Sequence, residues 1–165
     1  MRLVVRVDRE AGGLLGKPVE GARGVLEAYC LLQALEERAV LSFEQFIGPL
    51  AKVDPVSARV FAEILEDERR HLKYCVAVCK RYAASEAERL EVLERMRAAE
   101  GRAFHQNQLA NMTFTLGKGW IGGPVETMLW RGVRLLAKVL PLHPPTPEAR
   151  AERRARPFLQ PAAAA

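Results

Sequence analysis

The feature that most limits what this chain can fold into is an ionisable pair set inside an apolar helical stripe. At about 100° per residue, Phe61, Ile64, Leu65, Glu68, His71, Leu72, Cys75, Cys79 and Tyr82 fall on one face of a helix. Glu66, Arg69, Arg70, Lys73 and Lys80 take the other face. Glu68 lies near the middle of the stripe and His71 follows one turn later. An unpaired carboxylate in a helical core costs on the order of several kcal/mol, so something else in the chain or its surroundings must compensate it. A Glu-x-x-His pair aimed inward presents one oxygen and one imidazole nitrogen, which is a way to hold a metal ion.

Other stretches repeat the pattern. A first long helix is expected from about residue 21 to 48, closed by Gly48-Pro49 and Asp54-Pro55. Its stripe is Val25, Tyr29, Leu32, Glu36, Ala39, Val40, Phe43, Ile47 and Leu50. Glu36 falls within about 20° of the stripe's centre and Glu37 about 100° away, so only Glu36 is expected in the core. The Glu68 helix is expected from about 56 to 83, with Asp54 as N-cap and Pro55 in its first turn. Ser85-Glu86-Ala87-Glu88 is a capping-box pattern that opens a third helix, to about 116. There Glu100 is central to a stripe of Leu93, Met96, Ala103, Phe104, Asn107, Ala110, Asn111 and Phe114. His105 falls about 140° from Glu100, off that stripe.

Pro124 starts a shorter fourth helix, to about 140, with Val125, Leu129, Val133, Leu136 and Leu140 as its expected buried seam. Arg131, Arg134 and Lys138 form its outer face. Glu126, at the seam's edge, reads as a first-turn acid favoured by the helix dipole, or as an additional ligand. The glycine-rich stretch Gly117 to Gly123 lacks the Gly-Lys-Ser/Thr step of a phosphate loop. Residues 1–20 read as an N-terminal arm, with Arg2 to Val7 a short strand or extended segment before Gly12, Gly13, Gly16 and Pro18. Residues 141–165, rich in Pro, Ala and Arg, read as a disordered tail. The region between, 21–140, is expected to be one antiparallel four-helix bundle.

A charge of +5 suggests an anionic partner such as nucleic acid, but the excess concentrates in Arg131, Arg134, Lys138, Arg150, Arg153, Arg154 and Arg156. No secretory leader is read at the start. The longest apolar region, 120–142, is broken by Glu126 and by basic residues, so no transmembrane segment is expected. Three cysteines without zinc or Cys-x-x-Cys spacing point to a reducing, cytoplasmic setting.

Glu36-Glu37-Arg38-Ala39 with Phe43 and Phe46, followed on the next helix by Glu68-Arg69-Arg70-His71, resembles the first half of the rubrerythrin and ferritin-like superfamily. Met96-Arg97-Ala98-Ala99-Glu100 resembles the place where ferritins add a further carboxylate. The resemblance covers about residues 21–116 and implies an all-α, ferritin-like four-helix bundle holding two iron or manganese ions. It implies Glu36 as a terminal ligand, His71 as the nitrogen ligand, Glu68 as the bridge and Glu100 on the second ion. It implies oxidase chemistry on dioxygen or peroxide, with iron or an organic molecule oxidised. The pattern departs from rubrerythrins at the fourth helix, where Leu129 stands three residues after Glu126 in place of a second histidine, so the second ion is expected to be weakly held. Tyr29 and Cys75 are candidates for a supporting role beside the ligands, or are simply core residues. Two other functional readings stay open on the sequence. One is a metal-free helical scaffold that binds a partner through its basic face and tail; the other is a diiron hydroxylase of a larger substrate. A homo-oligomer is compatible with all three.

Overall fold

The computed structural model describes residues 3–118 and 123–140, and these residues are helical with no strand among them. The expected tail, 141–165, and the middle of the glycine-rich loop, 119–122, lie outside the described residues. Five helices follow in order: α1 (Leu3–Glu10), α2 (Gly21–Ala51), α3 (Pro55–Tyr82), α4 (Glu86–Gly117) and α5 (Pro124–Val139). The chain divides into two compact units, with the boundary inside α4 between Asn107 and Gln108.

The helix ends follow local chemistry. Asp54 caps α3 by accepting a hydrogen bond from the Ser57 backbone N–H at 3.0 Å, and Pro55 supplies the first turn without an amide to satisfy. At the start of α4 the Glu88 backbone N–H donates to Ser85 Oγ at 3.1 Å. The Glu88 carboxylate in turn accepts from the Ala84 N–H at 2.7 Å, a capping box displaced by one residue. Pro49 sits within the last turn of α2, which continues to Ala51, a few residues beyond the expected end.

The N-terminal segment is a correction. Leu3 to Glu10 is a helix, not a strand or arm. Three β-branched valines lower helix propensity by only a few tenths of a kcal/mol each, so a buried anchor can outweigh them. Val7 is that anchor: it is fully buried in the core, and Ala11 and Leu14, four and seven residues on, pack against the same cluster. Gly12 and Gly13 then take φ of 87° and 74°, left-handed values that let the chain turn back. Glu10 fixes the far end by accepting from Arg102 Nε at 2.8 Å and Gln106 Nε2 at 2.9 Å.

Within the first unit α2 and α3 run antiparallel, joined by the short turn at Lys52–Asp54, with Tyr29 against Tyr74 and Phe43 against Phe61 at ring-centroid separations of 5.9 and 5.4 Å. α4 runs parallel to α2: Arg95 reaches Glu27 and, further along both helices, Arg38 reaches Glu100. Leu26, Cys30, Leu31 and Ala34 of α2 pack with Cys79 of α3 and Val92, Leu93, Met96 and Ala103 of α4.

Two charge pairs lie inside this packing. Arg38 donates from Nε and an Nη to both oxygens of Glu100, each at 2.9 Å, and Glu100 is 1% exposed. Arg97 donates from Nε and an Nη to both oxygens of Glu37, at 2.8 and 2.6 Å, and Glu37 is buried. Burial alone would lower the Arg97 pKa; the bonds to Glu37 and Glu94 hold it above its usual value. Arg38 also lies over the Phe104 ring, its Cζ 4.2 Å from the centroid.

In the second unit α5 begins at Pro124 as expected, but its seam is a second correction. Val125, Leu129, Val133, Leu136 and Leu140 are exposed, and Ala137 is the buried residue of this helix.

Breaking a buried pair leaves its partner's charge without compensation, which costs about 3–5 kcal/mol, whereas replacing both partners by apolar residues is near neutral. Arg38→Ala should therefore lower unfolding free energy in urea by about that amount, and Arg38→Met/Glu100→Leu should recover most of it.

Candidate metal centre

α2 and α3 each bring acids to their shared groove, and the geometry there follows from the antiparallel pairing. The edge-on contact of Tyr29 with Tyr74 and the tilted contact of Phe43 with Phe61 place the middle of α2 opposite the middle of α3. Glu36 thereby meets Glu68, and His71, one turn along α3, completes a group of three. One ligand atom from each of Glu36, Glu68 and His71 lies within 4.8 Å of the others. His71 Nδ1 is 3.4 Å from a Glu68 oxygen. Glu36 and Glu68 are half-buried, while the His71 side chain is 62% exposed, so the group opens to solvent on its histidine side.

The electrostatics are those of two carboxylates competing for one compensating charge. Burial, a hydrogen bond with Glu68 and the Glu68 charge together push the Glu36 pKa up to about 7, against a weaker opposing effect of His71. At neutral pH this pair accommodates a proton where a cation could sit. Two carboxylate oxygens and an imidazole nitrogen suit Fe(II) or Mn(II), which accept mixed oxygen and nitrogen ligation.

The structure separates the remaining candidates. Glu100 is occupied by Arg38 and is not in the group. Arg97, on the same helix as Glu100, pairs with Glu37 of α2. Glu37, expected on the outer face, is the buried one of the adjacent acids, and Glu36 is only half-buried. The reason is that α2 has two neighbours: the middle of its apolar stripe looks into the α3 groove, and the side about 100° away is the one α4 covers. Glu66 is outside as expected, 65% exposed beside Arg69. Glu126 is an exposed residue in the first turn of α5, in the second unit. His105 is half-buried.

Tyr29 is half-buried, with its hydroxyl pKa raised chiefly by a hydrogen bond with Tyr74. Cys75 is buried, and burial, with the Glu36 charge adding to it, pushes its pKa up to about 11. It is therefore a thiol and not a thiolate at neutral pH, a poor metal ligand without help. Cys30 and Cys79 lie with sulfurs 3.6 Å apart in the core on the α4 side.

The residues that sequence periodicity passed over are Arg38, and Arg97 in its actual pairing. A signal was available: Glu37-Arg38 on α2 and Arg97 with Glu100 on α4 are oppositely ordered charges at matching helical depths.

No family model matches this chain, and no curated protein or solved structure matches it either. The resemblance to ferritin-like proteins thus rests on the residue pattern alone.

The raised pKa gives a pH signature in metal-free protein. Glu36 keeps its proton up to about pH 7 in the fold, against an ordinary 4.5. The folded state therefore binds more protons between those values, and stability falls as pH rises through the window and levels off above it. Glu36→Gln should flatten that slope: in chelator its urea midpoint should exceed the parent's at pH 8 and match it at about pH 4, below the window.

Proposed function

We propose that this protein is a ferritin-like, non-haem metal protein whose centre is Glu36, Glu68 and His71 and whose ion is iron or manganese. The observation that supports the reading is the meeting of these three side chains within 4.8 Å across the α2–α3 groove. The charges acting on Glu36 there are those of Glu68 and His71, so a divalent cation would relieve a repulsion that the fold otherwise answers with a proton. Bound Fe(II) or Mn(II) would supply one-electron exchange with dioxygen or peroxide, the chemistry of an oxidase or peroxide-handling protein. The chain's own contribution is to hold two oxygens and a nitrogen on facing helices, with His71 at the open side.

The ligand set differs from the one the resemblance implies. Glu100, the residue for a second ion, is committed to Arg38, and an arginine bound through both carboxylate oxygens leaves little for a metal. One chain is thus read as holding one ion, by three ligands. No helix among the described residues is long and apolar enough to cross a membrane.

Metal analysis after expression with added iron or manganese, followed by titration of the chelated protein, tests this reading. About one ion per chain is expected. Glu68→Ala and His71→Ala should each weaken it beyond the ~10–100-fold that loss of an outer-shell partner costs. Glu126→Ala should leave affinity within about twofold, since Glu126 is not one of the three grouped residues. Protein that takes up neither ion would favour the metal-free scaffold instead.

A further inference from the structure

We propose that two copies of this chain pair through the side of the α2–α3 hairpin that α4 leaves uncovered, and that the second copy completes the Glu36–Glu68–His71 centre. The inference rests on the metal reading above and adds the partner that reading lacks.

Helical spacing separates the two sides of the hairpin. On α2, the residues toward α4 include Leu26, Cys30 and Glu37, all buried. About 180° from them stand Ala39 and Phe46, with Leu32 beside them. On α3, Cys79 is buried in the cluster with the α4 residues, while Val60, Ile64, His71 and Tyr82 lie along one stripe about 60–100° away from it. Val60, His71 and Tyr82 are each separated by eleven residues, close to three full turns, so they stand almost in line. Phe46 is 62% exposed, Val60 49% and Tyr82 39%. An apolar surface with a carboxylate–imidazole group at its middle is not an ordinary solvent face.

Coordination gives the surface its occupant. Ions such as Mn(II) favour about six ligands, and one chain offers three, with the vacant directions on the exposed His71 side. A two-fold pairing of identical faces sets the second copy's Glu36, Glu68 and His71 against the first set. Four carboxylates then surround two ions and balance their charge, and four helices enclose them. In one chain α4 cannot play that part, because its inward acid is already bound to arginine. The size also suits a dimer. α3 has 28 residues and spans about 42 Å, and two helices side by side are about 20 Å wide, which gives about 800 Å² per partner. Because the facing carboxylates repel one another without cations, pairing and metal binding should reinforce each other.

Sedimentation equilibrium of the full chain, in chelator and with Mn(II), decides the matter. With Mn(II) the mass should rise from 18.4 kDa toward twice that value, at about one ion per chain. Chelator should reverse it. Val60→Arg/Tyr82→Arg touches none of the three ligands and should keep the protein monomeric in Mn(II), with affinity reduced at least about tenfold and helix content by circular dichroism unchanged. Phe46→Arg, on α2, should act the same way and serves if the double variant loses helix. Wild-type protein that binds Mn(II) while remaining a monomer overturns the pairing and leaves the metal reading intact. So does a monomeric variant with parental affinity, or a folded variant that still doubles in mass. Wild-type protein that binds no Mn(II) or Fe(II) overturns both.

Discussion

The crossed arginine–glutamate pairs between α2 and α4 set the geometry on which the rest of the first unit depends. Glu37 and Arg38 are consecutive, so both can face α4 only if α2 is turned to put the bond between them on that side. Each guanidinium meets both oxygens of its carboxylate, an arrangement that tolerates little rotation or sliding. Once α2 is held at that angle, Glu36 points toward α3. The charge pairs therefore decide which of three neighbouring ionisable residues reaches the groove. Their net stability is a separate matter, since burying such ions costs nearly what their attraction returns. Their value lies in specifying one rotation and one register.

The same constraint explains which parts of the structure were legible in the sequence. The long helices were readable because their apolar periodicity, caps and prolines agree; Asp54-Pro55 and Ser85 to Glu88 fix α3 and α4 locally. The meeting of Glu36 with Glu68 and His71 was readable because Glu36 and Glu68 each lie near the middle of a stripe and His71 follows Glu68 by one turn. Burial order was not. A stripe's centre marks the average apolar direction, but a helix with two neighbours buries the flank that lies between them. Glu37 sits on that flank and is deeper than Glu36. The arginine that answers Glu100 comes from another helix, and periodicity along one helix cannot show it. α1 was missed because alternating valines and arginines satisfy a strand pattern as well as one helical turn. Tertiary burial of Val7 decides between them.

Acids inside this protein are thus of two kinds. Glu37 and Glu100 are neutralised from within, by arginines that α2 and α4 exchange. Glu36 and Glu68 face each other, with His71 beside them. The first kind stabilises one packing and gains nothing from a cation. The second kind has no fixed cation against it, and the repulsion raises the Glu36 pKa to about 7.

That distinction carries more weight than the count of buried acids. Three glutamates central to three stripes suggest one shared centre, but a carboxylate can serve a metal only if nothing fixed already holds its oxygens. Glu100 fails that condition even though it is the most buried acid of the chain's described residues. Glu68 meets it while only partly buried, because its neighbours are a second carboxylate and an imidazole that can turn. The opening on the His71 side has the same origin. α4 is tied to the other flank of α2 by its arginines, so it cannot also close over the groove. The interaction that orients Glu36 toward α3 is the one that leaves the groove open beside His71.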